Sequence, residues 1–247
     1  MLSRSCIEPD WPCSVGVRAL TTTVVVPGTD QHGFNLASHV NDSVERVHQH
    51  RDVLRAHARL PAEPLWLNQV HGSVVLDAAD YAANPTADAT YSDAPGVVLA
   101  VLTADCLPIL ITDTEGRAIA AVHAGWRGLA AGIIAAAITK FTVSGIEPHE
   151  LVVWLGPAIG RQAYEIDLPV HDSLVRCLPP GADCLEPVRP GHWLLDMPAA
   201  ARALLEASGV AQVHGGTHCT YTDTRFFSYR RDPACGRQAT LIWREGL

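Results

Sequence analysis

The stretch Val97-Val98-Leu99-Ala100-Val101-Leu102-Thr103-Ala104-Asp105-Cys106-Leu107-Pro108-Ile109-Leu110-Ile111-Thr112 decides the fold. Val97–Thr103 and Leu107–Thr112 are continuous apolar runs of strand length, the pattern of strands covered on both faces. Such strands need packed layers above and below them. Between them, Asp105-Cys106 places a carboxylate and a thiol where an unpaired charge is costly. That position requires a use.

Outward from this pair, Asp113-Thr114-Glu115-Gly116 reads as a turn, Ala118–His123 as another buried strand and Leu129–Phe141 as an alanine-rich helix. Upstream, β-branched Val15–Val26 predicts a strand that turns at Pro27-Gly28. Asp42 with Glu45 suggests a capping box for a helix in which Val44, Val47 and Leu54 recur, through about Arg59. Its His48, His50 and His57 are expected at the surface. Leu65–Val70 and Ser73–Leu76 read as short strands flanking His71-Gly72.

In the second half, Leu151–Leu155 is a strand ending in Gly156-Pro157, and Val170–Cys177 and Pro198–Ser208 are helices, the latter capped by Asp196 or Met197. Trp193–Leu195 and Gln238–Trp243 complete the strands. The alternation indicates a layered α+β or α/β domain, with strand order left open. The 247 residues are 48% hydrophobic and contain no linker, repeat or charge run. The least regular stretches, near Asp80–Pro85 and Leu178–Gly191, are of ordinary loop length, so the expectation is one domain over residues 1–247.

Lys and Arg number 18 against 26 Asp and Glu, a net charge of −8 that argues against nucleic acid as a partner. Met1-Leu2-Ser3-Arg4-Ser5 lacks an apolar leader core, and no run reaches the roughly 18–20 apolar residues that span a bilayer. The expectation is a soluble cytoplasmic chain without a membrane partner. Seven irregularly spaced cysteines with no C-x-x-C pair read as reduced thiols, so any metal must use mixed ligands.

Three segments carry the chemistry: Asn68-Gln69-Val70-His71-Gly72, Thr103-Ala104-Asp105-Cys106 and Val122-His123-Ala124-Gly125-Trp126-Arg127-Gly128. They offer two imidazoles and one thiolate, a donor set that suits zinc with an open fourth position. Two mechanisms fit. His71, Cys106 and His123 could hold a zinc that activates water, or Cys106 could act as a nucleophile with either histidine as base and Asp105 as orienter. The strand–glycine–helix junction after His123, with Arg127, suits an anion. A rival ligand group is His214, His218 and Cys219. Arg225-Phe226-Phe227-Ser228-Tyr229-Arg230-Arg231-Asp232 packs three arginines with three aromatics, suited to bases and phosphate or carboxylate groups, with Arg231–Asp232 also readable as an ion pair.

Together with Gly156-Pro157-Ala158-Ile159-Gly160, Tyr164-Glu165, Cys219-Thr220-Tyr221-Thr222 and Phe226–Asp232, these segments resemble the YfiH-like laccase-domain family from about Phe34 to Trp243. The resemblance implies a YfiH-like layered α+β sandwich with mixed sheets and a zinc site at His71, Cys106 and His123. It also implies a purine nucleoside phosphorylase acting on adenosine, inosine and 5′-methylthioadenosine, with adenosine deaminase activity. Gln69, Arg127, Tyr164, Glu165, Tyr229 and Arg230 become the expected substrate contacts. Asp105, Cys106 and His123 become the expected catalytic groups, Asp105 being preferred to Glu165 as proton shuttle.

The same family has been described as a polyphenol oxidase or multicopper laccase, and as an editor of a peptidoglycan precursor. The second description makes a Cys106-dependent hydrolase or amidase the alternative. Copper is disfavoured, because a multicopper oxidase needs many histidines in paired motifs and His48-Gln49-His50 lies on a helix apart from the three donors. One departure is local. Relatives usually carry Thr-Thr-Arg near the N-terminus, whereas this chain has Thr22-Thr23-Val24, which leaves Arg18 or another residue to replace the arginine.

Overall fold

The computed structural model describes residues 4–83 and 85–246. Met1, Leu2 and Ser3, read above for a leader, and Asn84, inside the stretch Asp80–Pro85, lie outside the described residues. The strands are β1 (Cys6–Ile7), β2 (Val17–Thr22), β3 (Val75–Asp77), β4 (Ala89–Ser92), β5 (Val98–Thr103), β6 (Leu107–Asp113), β7 (Ile119–Ala124), β8 (Leu151–Leu155), β9 (Glu165–Asp167), β10 (Leu185–Arg189), β11 (His192–Leu195), β12 (Gln212–Gly215) and β13 (Gln238–Arg244). The helices are α1 (Val44–Ala58), α2 (Trp126–Ala130), α3 (Ile133–Val143), α4 (Leu168–Val175) and α5 (Met197–Ala207).

The two apolar runs become β5 and β6, and they belong to different sheets. One sheet is antiparallel in the order β1-β2-β13-β5. The other runs β12-β8-β6-β7-β4-β3 and is mixed, parallel only in its outermost pairs β12–β8 and β4–β3. Side-chain alternation shows how the sheets stack. Leu99 and Val101 of β5 meet Leu110 of β6 and Ile119 and Ala121 of β7 between the sheets. Val98, Ala100 and Leu102 face outward to Leu54 of α1 and to Phe34. On the far side, Ile109, Ile111 and Val122 meet Ile134, Ala137 and Phe141 of α3 and Ala201 and Leu205 of α5. The result is a helix–sheet–sheet–helix sandwich, as both-face burial of the two runs requires. A small antiparallel sheet, β10-β11-β9, sits beside α4.

Several element expectations shift. The first strand is shorter than Val15–Val26, because Val24 turns its N–H to the Arg225 carbonyl instead of a neighbouring strand. Ser43, not Asp42, caps α1 by accepting the Arg46 N–H, while Asp42 takes the Arg46 guanidinium and the Asn35 amide. On α1, His48 is exposed, but His50 is half-buried, with Nδ1 2.8 Å from the Asn35 carbonyl, and the half-buried His57 has an unpartnered Nε2. Leu65–Val70 is not a strand and makes only isolated bridges at Leu65 and Asn68. The helix expected over Leu129–Phe141 is two, because Gly132 takes a left-handed φ of 84° that breaks α2 from α3. Leu178–Gly191, read as irregular, contains β10. Asp196, rather than Met197, caps α5. Among the described residues no helix is long and apolar enough to cross a membrane.

Candidate active site

Cys106 lies in the tight connection from β5 to β6, His123 lies near the end of β7 opposite Pro108, and His71 lies in the loop before β3. Their donor atoms all fall within 4.8 Å of one another, and the two imidazole rings meet edge to face at 4.8 Å between centroids. The backbone supports this closeness at a cost. His71 (φ 61°) and Asp105 (φ 91°) occupy the left-handed region, worth about 1–3 kcal/mol of strain each in a residue with a side chain. Gly125 allows the next strand end to pass, since a Cβ there would lie 3.0 Å from the Cys106 sulfur and 3.1 Å from His71.

Burial alone would raise the Cys106 thiol, but the His123 and His71 imidazoles outweigh it and hold the thiol at about 6. Burial likewise opposes the charge on His123, while the Cys106 thiolate and the Asp88 carboxylate hold that imidazole well above its ordinary value. Two imidazoles and a depressed thiol fit a borderline-soft cation such as zinc. Among the described residues this is the one group of three or more donors close enough to hold a metal.

Above these donors opens a cavity of about 500 Å³. Each of its three arginines lies over an aromatic ring of the same chamber: Arg127 over Trp126 at 4.4 Å, Arg230 over Tyr164 at 5.2 Å and Arg237 over Tyr229 at 5.7 Å. Among the described residues none of the three forms an ion pair with a carboxylate, which is unusual in a chain of net charge −8. The floor also holds Thr103, 2% exposed, whose hydroxyl has no hydrogen-bond partner.

The expected site residues separate. His71, Cys106, His123, Asp105, Gln69, Arg127, Tyr164, Tyr229 and Arg230 all line the cavity. The Gln69 amide, however, is spent on the backbone of Leu102, donating to its carbonyl and accepting from its N–H, both at 2.8 Å. Asp105 accepts the Thr220 hydroxyl and the Arg230 N–H, both at 2.6 Å. Burial chiefly, then the neighbouring Cys106 charge, raises the Tyr164 phenol. Glu165 stands outside the chamber, where it takes the Arg189 guanidinium and lies 3.0 Å from His192.

Arg231 does not pair with Asp232; it donates to the carbonyls of Thr220, Tyr221 and Phe226. Arg225 pairs with Asp223. The rival ligands disperse: Cys219 accepts the Gly160 N–H, His218 faces Asp223, and the buried Nε2 of His214 has no partner. Val24 and Arg18 are both outside the cavity, Arg18 being paired with Glu245, so Arg18 does not replace an arginine here.

Sequence reasoning missed Asp88 and His39, while Arg237, in the Gly236-Arg237-Gln238 stretch after the arginine–aromatic segment, does line the cavity. Asp88 is fully buried and lies 2.8 Å from Nδ1 of His123. Its signal was present: Thr86-Ala87-Asp88 repeats the order of Thr103-Ala104-Asp105, a carboxylate at the edge of an apolar strand.

The family model described as multi-copper polyphenol oxidoreductase laccase matches residues 20–245. A purine nucleoside phosphorylase of Pseudomonas aeruginosa is 44% identical over 242 residues, covering 96% of this chain and 97% of that one. Purine nucleoside phosphorylase YfiH of Escherichia coli is 41% identical, with 96% and 98% covered. Among solved structures, a Neisseria meningitidis protein superposes with a TM-score of 0.90 at 41% identity, over 98% of this chain and all of that one. YlmD of Geobacillus stearothermophilus gives 0.92 at 31% identity, covering 99% and 97%. On the length and closeness of these matches, the chain belongs to the YfiH family of laccase-like proteins.

Proposed function

We propose that the chain is a zinc-dependent purine nucleoside phosphorylase acting on adenosine, inosine and 5′-methylthioadenosine, with adenosine deamination at the same site. The observation that carries this is the joining of a His/Cys/His donor set to a chamber walled by aromatic rings and unpaired arginines. The names of the relatives supply the reaction. In phosphorolysis a phosphate oxygen bonds to C1′ of the ribose as the C1′–N9 bond breaks, so the protein's task is positioning and charge complementarity. Arg127 and Arg230 hold the phosphate, and the exposed Tyr229 ring and Trp126 offer faces for the purine. Zinc held by His71, Cys106 and His123 would supply Lewis acidity and an activated water for attack at C6 in deamination. Asp105, with both oxygens already accepting hydrogen bonds, is assigned to fixing Arg230 rather than to shuttling a proton.

The test is incubation of zinc-loaded protein with adenosine and phosphate, followed by separation of products. Adenine with ribose-1-phosphate is expected, with inosine from deamination; absence of all three overturns the nucleoside reading. A second reading has its own support. Asp88, His123 and Cys106 form a chain of carboxylate, imidazole and depressed thiol, the order a cysteine hydrolase uses, with Asp88 rather than Asp105 as orienter. It predicts no stoichiometric zinc in untagged protein and activity on a peptidoglycan precursor that alkylation of Cys106 abolishes. A multicopper oxidase is not proposed, because one three-donor cluster among the described residues serves one ion.

A further inference from the structure

The deepest carboxylate beside the site is not one of its donors. Asp88 stands immediately before β4, fully buried, and four N–H groups converge on its two oxygens. Oδ1 accepts the His71 backbone N–H at 2.8 Å and lies 2.8 Å from Nδ1 of His123. Oδ2 accepts the backbone N–H groups of Gly72 at 2.6 Å and Val70 at 3.3 Å. The carbonyl of Asp88 also accepts the His123 N–H at 2.7 Å. One residue therefore grips His123 by backbone and ring together, and grips the His71 loop by three successive amides.

Two consequences follow. With Nδ1 of His123 donating to Asp88, Nε2 is the ring nitrogen left to act as a ligand. Three consecutive N–H groups curled around one carboxylate hold His71 at φ 61°, a conformation it would otherwise leave. We propose that Asp88 is the positioning residue of this centre, one carboxylate that sets both the nitrogen His123 presents and the backbone conformation that presents His71. Metal affinity is then governed by a residue that touches no metal. This rests on the metal reading above and is independent of the nucleoside reading.

The experiment compares zinc affinity of the untagged parent chain with that of Asp88→Asn and Asp88→Ala by competition against a chromophoric chelator. Asparagine keeps the shape but turns one oxygen into a donor facing donors. Zinc binding is expected to weaken about 10–100-fold in Asp88→Asn and at least as much in Asp88→Ala. Cobalt(II) bound to Asp88→Asn is expected to show a visible spectrum altered from that of the parent. Folded Asp88→Asn with parental zinc affinity overturns the proposal. If the variants do not fold, nitrogen NMR of the zinc-loaded parent decides: a protonated Nδ1 and metal-bound Nε2 on His123 support it, and a metal-bound Nδ1 overturns it. A parent chain that binds no zinc removes the metal reading itself, and this inference with it.

Discussion

The floor and the rim of the cavity solve opposite problems. The floor takes Cys106 and His123 from strand ends in the buried sheets, and His71 from a loop tied down by buried hydrogen bonds. The rim takes Arg127, Tyr229 and Arg230 from exposed positions, where Arg127 lies over Trp126, Arg230 over Tyr164 and Arg237 over Tyr229. A preorganised floor commits the site to a chemistry, whereas an exposed, charged and aromatic rim selects what is brought to it. The sharpest way to break this division is Cys106→Ala. Zinc binding and phosphorolysis should fall together, activity by about 10³-fold or more, since several kcal/mol of charge stabilisation goes with the ion. Unfolding of the metal-free chain should move by no more than about 1 kcal/mol in urea titration. Collapse of the fold would instead make the floor structural.

The floor should also announce itself by pH. In the metal-free chain the thiol of Cys106 lies below its ordinary value, so its thiolate persists as pH falls from 9 and is lost only on passing about 6. Cys6 and Cys184 go the other way, pushed up to about 11 by burial first of all. Iodoacetamide labelling followed by peptide mass spectrometry should therefore show a Cys106 rate midpoint near pH 6 while Cys6 and Cys184 stay unlabelled at pH 7. A Cys106 midpoint near 9 would remove the imidazole–thiolate coupling from the account.

The same contrast decides what could be read from sequence. Ligand chemistry is limited to a few residue types, so His71, Cys106 and His123 stood out against apolar surroundings. The two runs around Asp105 foretold both-face burial, because side chains of β5 and β6 divide between separate cores. Asp88 was overlooked because its partners, backbone amides and one ring, leave no mark in residue spacing, so that the repeated Thr-Ala-Asp is its one trace in the sequence. β10 was overlooked because four of its five side chains are exposed and its pattern is that of a loop. Strand order depends on long-range pairing, such as β13 between β2 and β5, that no local pattern encodes. Glu165 adjoins Tyr164 in sequence and yet points away, since neighbours on an extended segment face opposite sides.

For the rim, Arg127→Ala should raise the KM for phosphate about 10–100-fold, the worth of one charge-assisted contact, while zinc affinity by chelator competition stays at the parental value. Loss of zinc with the arginine would merge rim and floor into one unit.

The smallest effect should come from the residue next door. Arg230 and Arg231 are adjacent, equally cationic and both exposed, so sequence treats them alike. Arg230 sends its guanidinium over Tyr164 into the cavity, while its own N–H is fixed by Asp105. Arg231 folds back to bridge the carbonyls of Thr220, Tyr221 and Phe226, stapling the loop that carries Tyr229 and Arg230. Arg231→Ala frees the carbonyls of the fully buried Thr220 and Phe226 and of the exposed Tyr221, and water entering the space the side chain leaves can satisfy them only in part, so the expected loss is about 1–3 kcal/mol of unfolding free energy in urea titration. Below the transition, phosphate KM should change less than threefold, because the Asp105 contacts to Thr220 and Arg230 remain. A tenfold rise in KM from Arg231→Ala would show that the staple, and not the stacked arginine, sets the rim, and the boundary between the two regions would have to be redrawn.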